Sequence, residues 1–86
     1  MYWVYALYSK LSDKIYIGFT SNLEQRIESH NKLAKKGWTI KYRPWTLVHT
    51  EKFETKQQAM KREKQLKQHK GRDFIRKLIN SKITEI

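Results

Sequence analysis

The stretch YWVYALYSKLSDKIYIGFT, residues 2–20, decides the fold. Tyr2–Tyr8 is a run of aromatic and β-branched residues, and Lys14–Phe19 repeats that composition with large apolar residues at alternate positions. This composition with a period of two predicts two β-strands. The short polar segment Ser9–Asp13 between them predicts a hairpin loop, so we expect the two strands to pair in antiparallel fashion.

Helical signals follow the hairpin. Thr20-Ser21-Asn22 supplies a helix cap, and apolar residues then recur at helical spacing, which predicts a first helix from about Leu23 to about Lys35, closed by Gly37. A basic loop follows, and Trp45–Phe53 returns to strand composition.

Two more helices are expected in the last third of the chain. Thr55 and Gln58 have the spacing of a capping box, which predicts a second helix through about Gln68. Gly71 is expected to break it, and a third helix is expected from about Arg72. The inward stripe of that helix is predicted to consist of Phe74, Ile75, Leu78 and Ile79.

The order strand, strand, helix, strand, helix, helix predicts the α+β class. We expect a small three-stranded, antiparallel-type sheet flanked by about three helices. A chain of 86 residues is long enough for one compact domain, so residues 1–86 are predicted to form a single domain.

The charge of the chain is strongly positive. The chain has 19 Lys and Arg residues and 8 Asp and Glu residues. Its net charge is therefore +11, which is typical of a polyanion-binding protein. The absence of cysteine excludes disulfides and thiolate zinc sites. No apolar run reaches the roughly 18 residues of a membrane span, and residues 1–8 do not resemble a secretory signal, so we expect a soluble, cytoplasmic protein without membrane association.

The carboxylates exclude several enzyme classes and leave one candidate. No pair has a spacing suggestive of a two-carboxylate hydrolase, and no Ser-His-Asp pattern or phosphate-binding glycine loop occurs. Glu63 lies four residues after Ala59 and three before Leu66, on the apolar stripe of a basic helix. An inward carboxylate needs a cation, and Mg²⁺ tolerates a single protein carboxylate. The alternative is an ion pair with Lys67, four residues on.

Two other pairs are candidates for phosphate chemistry. Arg26 and His30 are four residues apart and therefore neighbours on one helix face, where an arginine fork matches phosphate geometry. The alternative for this pair is a solvated helix face. Tyr5 and Tyr16 lie on the two predicted strands and would meet on one face of the hairpin, either as core aromatics or as reactive phenols.

Together these residues resemble the GIY-YIG nuclease family, which includes the nuclease domain of the bacterial excinuclease C subunit. Trp3-Val4-Tyr5 resembles the first triplet, and residues 14–18, KIYIG, match the Lys-x-Tyr-Ile-Gly motif. The match continues through residues 18–31, and residues 59–67, AMKREKQLK, resemble the segment that carries the metal-binding glutamate. The resemblance covers nearly the whole chain.

This resemblance implies a divalent-metal-dependent endonuclease that hydrolyses phosphodiester bonds in DNA, including structured or damaged DNA in repair or recombination. It implies that Tyr5 helps to activate the attacking water, that Tyr16 and Arg26 contact the scissile phosphate, and that Lys14 approaches it. His30 would act as a general base or phosphate contact, and Gly18 would allow a close approach of neighbouring groups.

The resemblance also implies that Glu63 holds one Mg²⁺ or Mn²⁺ ion. Further substrate contacts are expected from the basic residues of the second helix and from residues after it, namely Lys61, Arg62, Lys67, Lys70 and Asn80. The chain has no additional domain for choosing a target, so a protein partner is expected to supply specificity.

A different interpretation is a non-catalytic, basic nucleic-acid-binding module. In that case the lysines and arginines of the last two helices follow phosphates, and the loop aromatics Trp38, Tyr42 and Trp45 stack on bases. The alternative for these aromatics is packing over the core. Turnover distinguishes the module from the enzyme, and DNA preference over RNA and the oligomeric state stay open.

Overall fold

The computed structural model of the protein describes residues 1–33 and 38–84. The strands are β1 (Tyr2–Ser9), β2 (Lys14–Thr20) and β3 (Thr46–Phe53). The helices are α1 (Leu23–Glu28), α2 (Lys56–Lys67) and α3 (His69–Thr84), with a π-helical turn at Ser29–Leu33 and a 3₁₀ turn at Trp38–Tyr42. The α+β class and the order of the elements are confirmed. No helix in the described ranges is long and apolar enough to cross a membrane.

The sheet has the strand order β2-β1-β3, and both pairings are antiparallel. In the hairpin, Tyr5 lies opposite Gly18 and Leu7 lies opposite Tyr16. Asp13 ends the loop at φ 52°, in the left-handed region that aspartate tolerates better than most residues. Its carboxylate accepts a hydrogen bond of 2.9 Å from the Tyr8 hydroxyl, which ties the loop to the end of β1.

The period of two along the strands divides the buried residues between two faces. On one face α2 and α3 cover the main core, which consists of Val4, Ala6, Ile15, Ile17, Val48, Ala59, Leu66, Ile75 and Ile79. On the other face a smaller cluster of Tyr5, Leu7 and Trp45 packs against Tyr16, Leu23, Ile27 and Tyr42. The hairpin therefore presents Tyr5 and Tyr16 away from the main core, on the face where Leu23 and Ile27 of α1 pack, whereas Tyr2 and Tyr8 pack against the main core.

The first helix differs from the prediction. Its α-helical part ends at Glu28, and the chain continues as a wider π-helical turn to Leu33. The predicted continuation to Lys35 and the closure at Gly37 lie outside the described residues. The N-cap is confirmed, because the Asn22 side chain accepts a hydrogen bond from the backbone N–H of Gln25 at 3.1 Å.

The boundary between α2 and α3 also differs from the prediction. The capping box of Thr55 and Gln58 is present, but α2 ends at an extended Gln68 and α3 begins at once, so Gly71 lies within a helix rather than between two. A Cβ at Gly71 would collide with the backbone of Leu66. The glycine therefore allows the first turn of α3 to lie against the end of α2.

One residue of the predicted α3 stripe is misplaced. Ile75 and Ile79 are buried and Leu78 packs beside them, whereas Phe74 is 40% exposed. Phe74 stands at the margin of the stripe and packs edge-on against His49, with ring centroids 5.3 Å apart. Its placement in the inward stripe was wrong, because its ring packs on His49 of the edge strand β3 rather than in the main core.

Candidate active site

The two tyrosines of the hairpin meet as the sequence predicts. Tyr5 is completely buried and its ring centroid lies 6.0 Å from that of the half-buried Tyr16. Gly18 stands opposite Tyr5, and a Cβ there would lie 2.8 Å from the Tyr5 hydroxyl oxygen and 3.0 Å from Cε1 of Tyr16. Glycine at this position gives the Tyr5 hydroxyl the space it occupies. Tyr5 is therefore a core aromatic whose hydroxyl is also part of a polar cluster, and its role as a reactive phenol stays a prediction.

The π-helical turn brings His30 to this cluster. The imidazole is 7% exposed, and its Nε2 lies 3.0 Å from the Tyr5 hydroxyl oxygen. Its ring centroid is 4.5 Å from that of Tyr16, and its Nδ1 lies 3.3 Å from Oγ1 of the buried Thr39. The solvated helix face considered for His30 is therefore wrong. The wider turn directs His30 to the sheet, in keeping with the frequent occurrence of π-helical turns at functional sites.

Side chains from the segment before β3 hold this turn in place. Arg43 donates hydrogen bonds to the backbone carbonyls of His30 and, at 3.1 Å, of Ser29. The Asn31 amide donates to the Trp45 carbonyl at 3.1 Å and accepts from the Trp45 N–H at 2.6 Å. The Trp45 indole donates to the Thr39 carbonyl at 2.8 Å. These bonds fix the position of His30, and the sequence did not predict them because they join side chains to distant backbone groups.

Burial and nearby charge set the protonation of the cluster. Burial raises the pKa of Tyr5 well above its ordinary value, and the Arg26 guanidinium opposes this by hydrogen-bonding the phenol. Burial lowers the pKa of His30, and the positive charges of Arg26 and Arg43 lower it further. His30 is therefore neutral at physiological pH. Because arginine only donates, the Tyr5 oxygen accepts from Arg26 and its own proton is directed to Nε2 of His30.

Arg26 connects the buried cluster to solvent. Its side chain is exposed, and contact with the Tyr5 hydroxyl raises its pKa further, so it is fully charged. It also lines a polar cleft of about 300 Å³ together with Thr20, Ser21, Asn22, Gln25 and Ser29. A phosphate in this cleft would meet a guanidinium that is already oriented by Tyr5.

Glu63 lies in a different layer from the other four predicted catalytic residues. It is on α2, whose Ala59 and Leu66 pack on the opposite face of the sheet. Its side chain is 18% exposed, and one carboxylate oxygen lies 3.6 Å from Nζ of Lys67, which confirms the ion pair considered from the spacing. The structure thus gathers Tyr5, Tyr16, Arg26 and His30 around one hydroxyl, and Glu63 comes from a separate element, α2.

The groups around Glu63 determine which kind of metal ion could bind there. Within residues 1–33 and 38–84, no three His, Asp or Glu side chains cluster as a multidentate protein site would require. A largely buried carboxylate whose nearest ammonium is at 3.6 Å keeps acceptor capacity for a further cation. This arrangement fits a hard divalent cation that keeps most of its waters, and it does not fit a closed structural metal site.

The remaining predicted contact residues are distributed over the surface. Lys14 places its ammonium 5.7 Å from the centre of the Tyr42 ring. Arg62 is paired with Glu51 through bonds of 2.9 and 3.2 Å, a partner that the sequence did not predict. Lys61, Lys67, Lys70 and Asn80 are exposed.

The loop aromatics are less available than the binding-module interpretation requires. Trp45 is 3% exposed, so its predicted role in base stacking is wrong and the packing alternative is confirmed. Tyr42 is half-buried and packs edge-on against Trp45 at 6.5 Å. The side chain of Trp38 lies outside the described part of the structure.

Comparison with known proteins identifies the family. The sequence model of the GIY-YIG catalytic domain matches residues 1–78. The chain belongs to the GIY-YIG nuclease family. This confirms the resemblance carried by the two tyrosine motifs.

Relatives of this GIY-YIG chain include UPF0213 proteins of a bacterium and an archaeon. That of Bacillus velezensis is 37% identical over 73 residues, covering 81% of this chain and 74% of the relative. That of Natronomonas pharaonis is 38% identical over 66 residues, covering 77% and 76%. The solution NMR structure of a UPF0213 protein from Bacillus halodurans is similar with a TM-score of 0.54 and 28% identity, and the match covers 91% of this chain and 85% of that one.

Membership in the GIY-YIG family establishes the general class of the protein. The family consists of nucleases, so its substrates are nucleic acids, and its members generally use divalent metal ions. The names of the UPF0213 relatives state no activity. The cytoplasmic location expected from the sequence stays a prediction.

Proposed function

We propose that this protein is a divalent-metal-dependent endonuclease that hydrolyses phosphodiester bonds in DNA, with residues 1–86 acting as a single nuclease domain. The observation that carries the proposal is the hydrogen bond between the buried Tyr5 hydroxyl and a neutral His30, next to a charged Arg26. A buried phenol and a buried imidazole next to a charged guanidinium are a costly arrangement unless they serve chemistry.

The burial of Tyr5 modifies the role that the family resemblance implies for it. A completely buried phenol does not touch the attacking water, whereas the neighbouring Tyr16 is half-buried and reaches the surface. We assign water contact to Tyr16 and give Tyr5 the next place in a relay. The proton passes from water to Tyr16, from Tyr16 to Tyr5, and from Tyr5 to Nε2 of His30, which is 3.0 Å away.

The electrostatics support a relay rather than a standing phenolate. Because the pKa of Tyr5 is raised, a negative Tyr5 would be a minor species, but a simultaneous transfer to His30 avoids forming it. His30 is neutral before the transfer and becomes an imidazolium whose Nδ1 side faces Thr39. Burial, and then the positive charges of Arg26 and Arg43, lower the pKa of His30, so that imidazolium is disfavoured and the proton tends to return to solvent.

Arg26 and Glu63 complete the proposed machinery. Arg26 binds the scissile phosphate in the polar cleft and neutralises the charge that develops on its oxygens. Glu63 would hold one Mg²⁺ or Mn²⁺ ion, which supplies stabilisation of the leaving oxygen when it is bound. We further propose that structured or damaged DNA in repair or recombination is the substrate, and that a protein partner directs the small domain to its target.

The experiment that tests this proposal is a plasmid-nicking assay. Purified protein should nick supercoiled DNA with Mg²⁺ or Mn²⁺ but not with EDTA, and Glu63→Gln should abolish nicking. Glu54→Gln is the matched control, since it removes the same charge from an exposed site just before α2. Equal nicking by wild type and Glu63→Gln, with both folded by circular dichroism, would overturn the role of Glu63.

A second set of substrates tests the proposed specificity. Single-stranded, duplex, flap and junction DNA, and the matching RNA duplex, should be cleaved at different rates if structure is recognised. The non-catalytic module is the competing function, and the strongly positive charge of the chain favours it as well. Steeply salt-dependent binding without turnover on any of these substrates would establish that module instead.

A further inference from the structure

A cationic pocket lies at the loop end of the hairpin, apart from the polar cleft of Arg26. It has a volume of about 410 Å³ and is lined by Asp13, Lys14, Ile15, Tyr42, Arg72 and Arg76. Three of these residues are basic and one is acidic, so the lining has a net positive charge. We name it the hairpin pocket. It joins residues from the hairpin, the 3₁₀ turn and α3, which are distant in the sequence.

The one carboxylate in the hairpin pocket is already neutralised. Arg76 donates to the Asp13 carboxylate and, at 3.2 Å, to the Asp13 backbone carbonyl, and Tyr8 donates to the same carboxylate at 2.9 Å. The hydrogen bond from Arg76, followed by that from Tyr8, lowers the pKa of Asp13. Asp13 therefore fixes the loop and Arg76 in position and leaves the excess positive charge to Lys14 and Arg72.

Contacts with neutral groups position Lys14 and Arg72 at the pocket, and these contacts do not neutralise their charge. Arg72 donates from Nε to the backbone carbonyl of Lys67 at 3.4 Å, a bond that does not use its two terminal Nη groups. The Lys14 ammonium lies over the Tyr42 ring at 5.7 Å, a contact that orients the charge without neutralising it. A planar fork with two donor groups and an ammonium, both in the lining of one pocket, suit a tetrahedral oxyanion.

The hairpin pocket is next to the proposed catalytic cluster. Lys14 and Tyr16 are two residues apart on β2 and on the same face, a step of about 7 Å. Tyr42, which also lines the pocket, packs on Trp45. The ring centroid of Trp45 is 6.4 Å from that of Tyr16. Successive phosphates of one DNA strand repeat about every 3.4 Å along the helix axis. On β2, Lys14 is two residues from Tyr16 and six residues from Thr20, which lines the Arg26 cleft, so a strand that follows β2 would place the two phosphates about two to six nucleotides apart.

We propose that the hairpin pocket binds a non-scissile backbone phosphate of the nucleic acid, about two to six nucleotides from the phosphate that Arg26 contacts. The proposal rests on the proposed function in taking a nucleic acid as ligand. It moves Lys14 from the scissile phosphate to a second one, and it adds Arg72 as its partner. The bound strand then follows β2 from Lys14 toward Thr20, so the pocket sets the direction of the strand across the site.

The test measures binding in EDTA, so that it does not depend on cleavage. A fluorescent oligonucleotide is titrated with protein at several salt concentrations, using wild type, Arg72→Gln, Lys14→Gln and Arg72→Lys. Each Gln variant should weaken binding and reduce the slope of log K against log salt by about 0.7–0.9, the value for one lost phosphate contact. Arg72→Lys should restore most of the slope.

The matched control is Lys56→Gln, which removes the same charge from the opposite end of α2. Lys56 lies about 16 Å along the helix axis from Lys67, next to which Arg72 is anchored. It should change the slope much less than Arg72→Gln does. Equal effects of Arg72→Gln and Lys56→Gln would show diffuse attraction by the charged surface, and the hairpin pocket would be refuted.

Two further measurements identify the ligand. Neutral methylphosphonate linkages are placed one at a time at each position out to about six nucleotides from the cleavage site, and one position should weaken wild-type binding but not binding to Arg72→Gln. Inorganic phosphate, compared with chloride at equal ionic strength, should shift the amide NMR signals of Asp13 and Lys14. A phosphate response without any position-specific effect would assign the pocket to a free phosphate compound and overturn the proposal.

The outcomes separate this inference from the proposed nuclease activity. If the protein nicks plasmid DNA but Arg72→Gln and Lys56→Gln have equal salt slopes, the proposed nuclease activity stands and the proposed second phosphate site is refuted. If one methylphosphonate position weakens binding but the protein does not nick DNA, the proposed phosphate site stands and the proposed nuclease activity is refuted.

Discussion

The replacement Gly18→Ala tests the geometry on which the candidate site depends. Gly18 is buried in β2, and an added Cβ would lie 2.8 Å from the hydroxyl oxygen of Tyr5 and 3.0 Å from both Cζ of Tyr5 and Cε1 of Tyr16. These atoms belong to rings held in a packed cluster, so the methyl group has no free space. Alanine should push the Tyr5 hydroxyl away from Nε2 of His30.

The size of the effect follows from two opposing contributions. Overpacking of a well-packed core destabilises by about 1–3 kcal/mol. Alanine also reduces the freedom of the unfolded chain, which stabilises by about 0.4–1 kcal/mol where the backbone is compatible, as it is in this strand. We expect Gly18→Ala to lower the free energy of unfolding by about 0.5–2.5 kcal/mol, since overpacking exceeds the entropic gain.

A double-mutant cycle with Tyr5→Phe isolates the contact. Tyr5→Phe removes the closest atom, at 2.8 Å, so Gly18→Ala should be less harmful in that background. The coupling energy should exceed about 0.5 kcal/mol, the lower end for residues in direct contact. Urea unfolding followed by tryptophan fluorescence measures all four variants.

Two results would contradict this reasoning. Gly18→Ala as stable as the wild type would show that the rings move aside at no cost, and the Tyr5–His30 geometry would not be fixed. Effects that add within about 0.3 kcal/mol would show that Gly18 does not act through the Tyr5 hydroxyl. Nicking activity should fall with the same substitution, because the relay requires the 3.0 Å bond to His30.

Three further predictions concern the same cluster. Tyr5→Phe leaves Nε2 of His30 buried without its partner, so the free energy of unfolding should fall by about 1–3 kcal/mol, and kcat should fall with KM unchanged, as measured by urea unfolding and steady-state nicking. The folded-state pKa of His30 is below its unfolded value, so protonation favours the unfolded chain. Stability should decrease as the pH falls below about 6.5, and His30→Gln should flatten this slope in thermal melts at several pH values. Asn31→Ala removes both hydrogen bonds to the Trp45 backbone and should lower the free energy of unfolding by about 1–3 kcal/mol, while Asn80→Ala, at an exposed position of α3, should have a much smaller effect.

The sequence predicted the hairpin and its tyrosines because both depend on local information. The period of two in residues 2–20 sets the faces of the strands, and the loop length sets the register, which places Tyr5 and Tyr16 side by side. The start of helix α2 was predictable in the same way, from its capping box. Where neighbouring residues determine the backbone, the pattern of the sequence was sufficient.

The environment of His30 was not predictable in the same way. A four-residue spacing placed His30 next to Arg26 on a helix face, but the π-helical turn buries it instead. That turn is held by Arg43 and Asn31, which lie in different segments and bind backbone groups. Backbone acceptors carry no signature in the sequence, so these contacts appear only in the folded structure.

The position of Gly71 within α3 was also not predictable from the local sequence. Glycine ordinarily signals the end of a helix, and here the structure uses it for close packing of two helices. Nothing in the local sequence distinguishes these two uses. The distinction depends on the direction in which α3 returns across α2.

The alternation of faces along β1 gives this small protein two nearly independent sets of positions. Val4 and Ala6 support the main core under α2 and α3, while Tyr5 and Leu7 belong to the second cluster, where the proposed site lies. Changes at one set leave the other set's neighbours in place. Selection or engineering can therefore alter what the site recognises without first rebuilding the scaffold, which makes the hairpin a compact platform for acquiring new nuclease specificities.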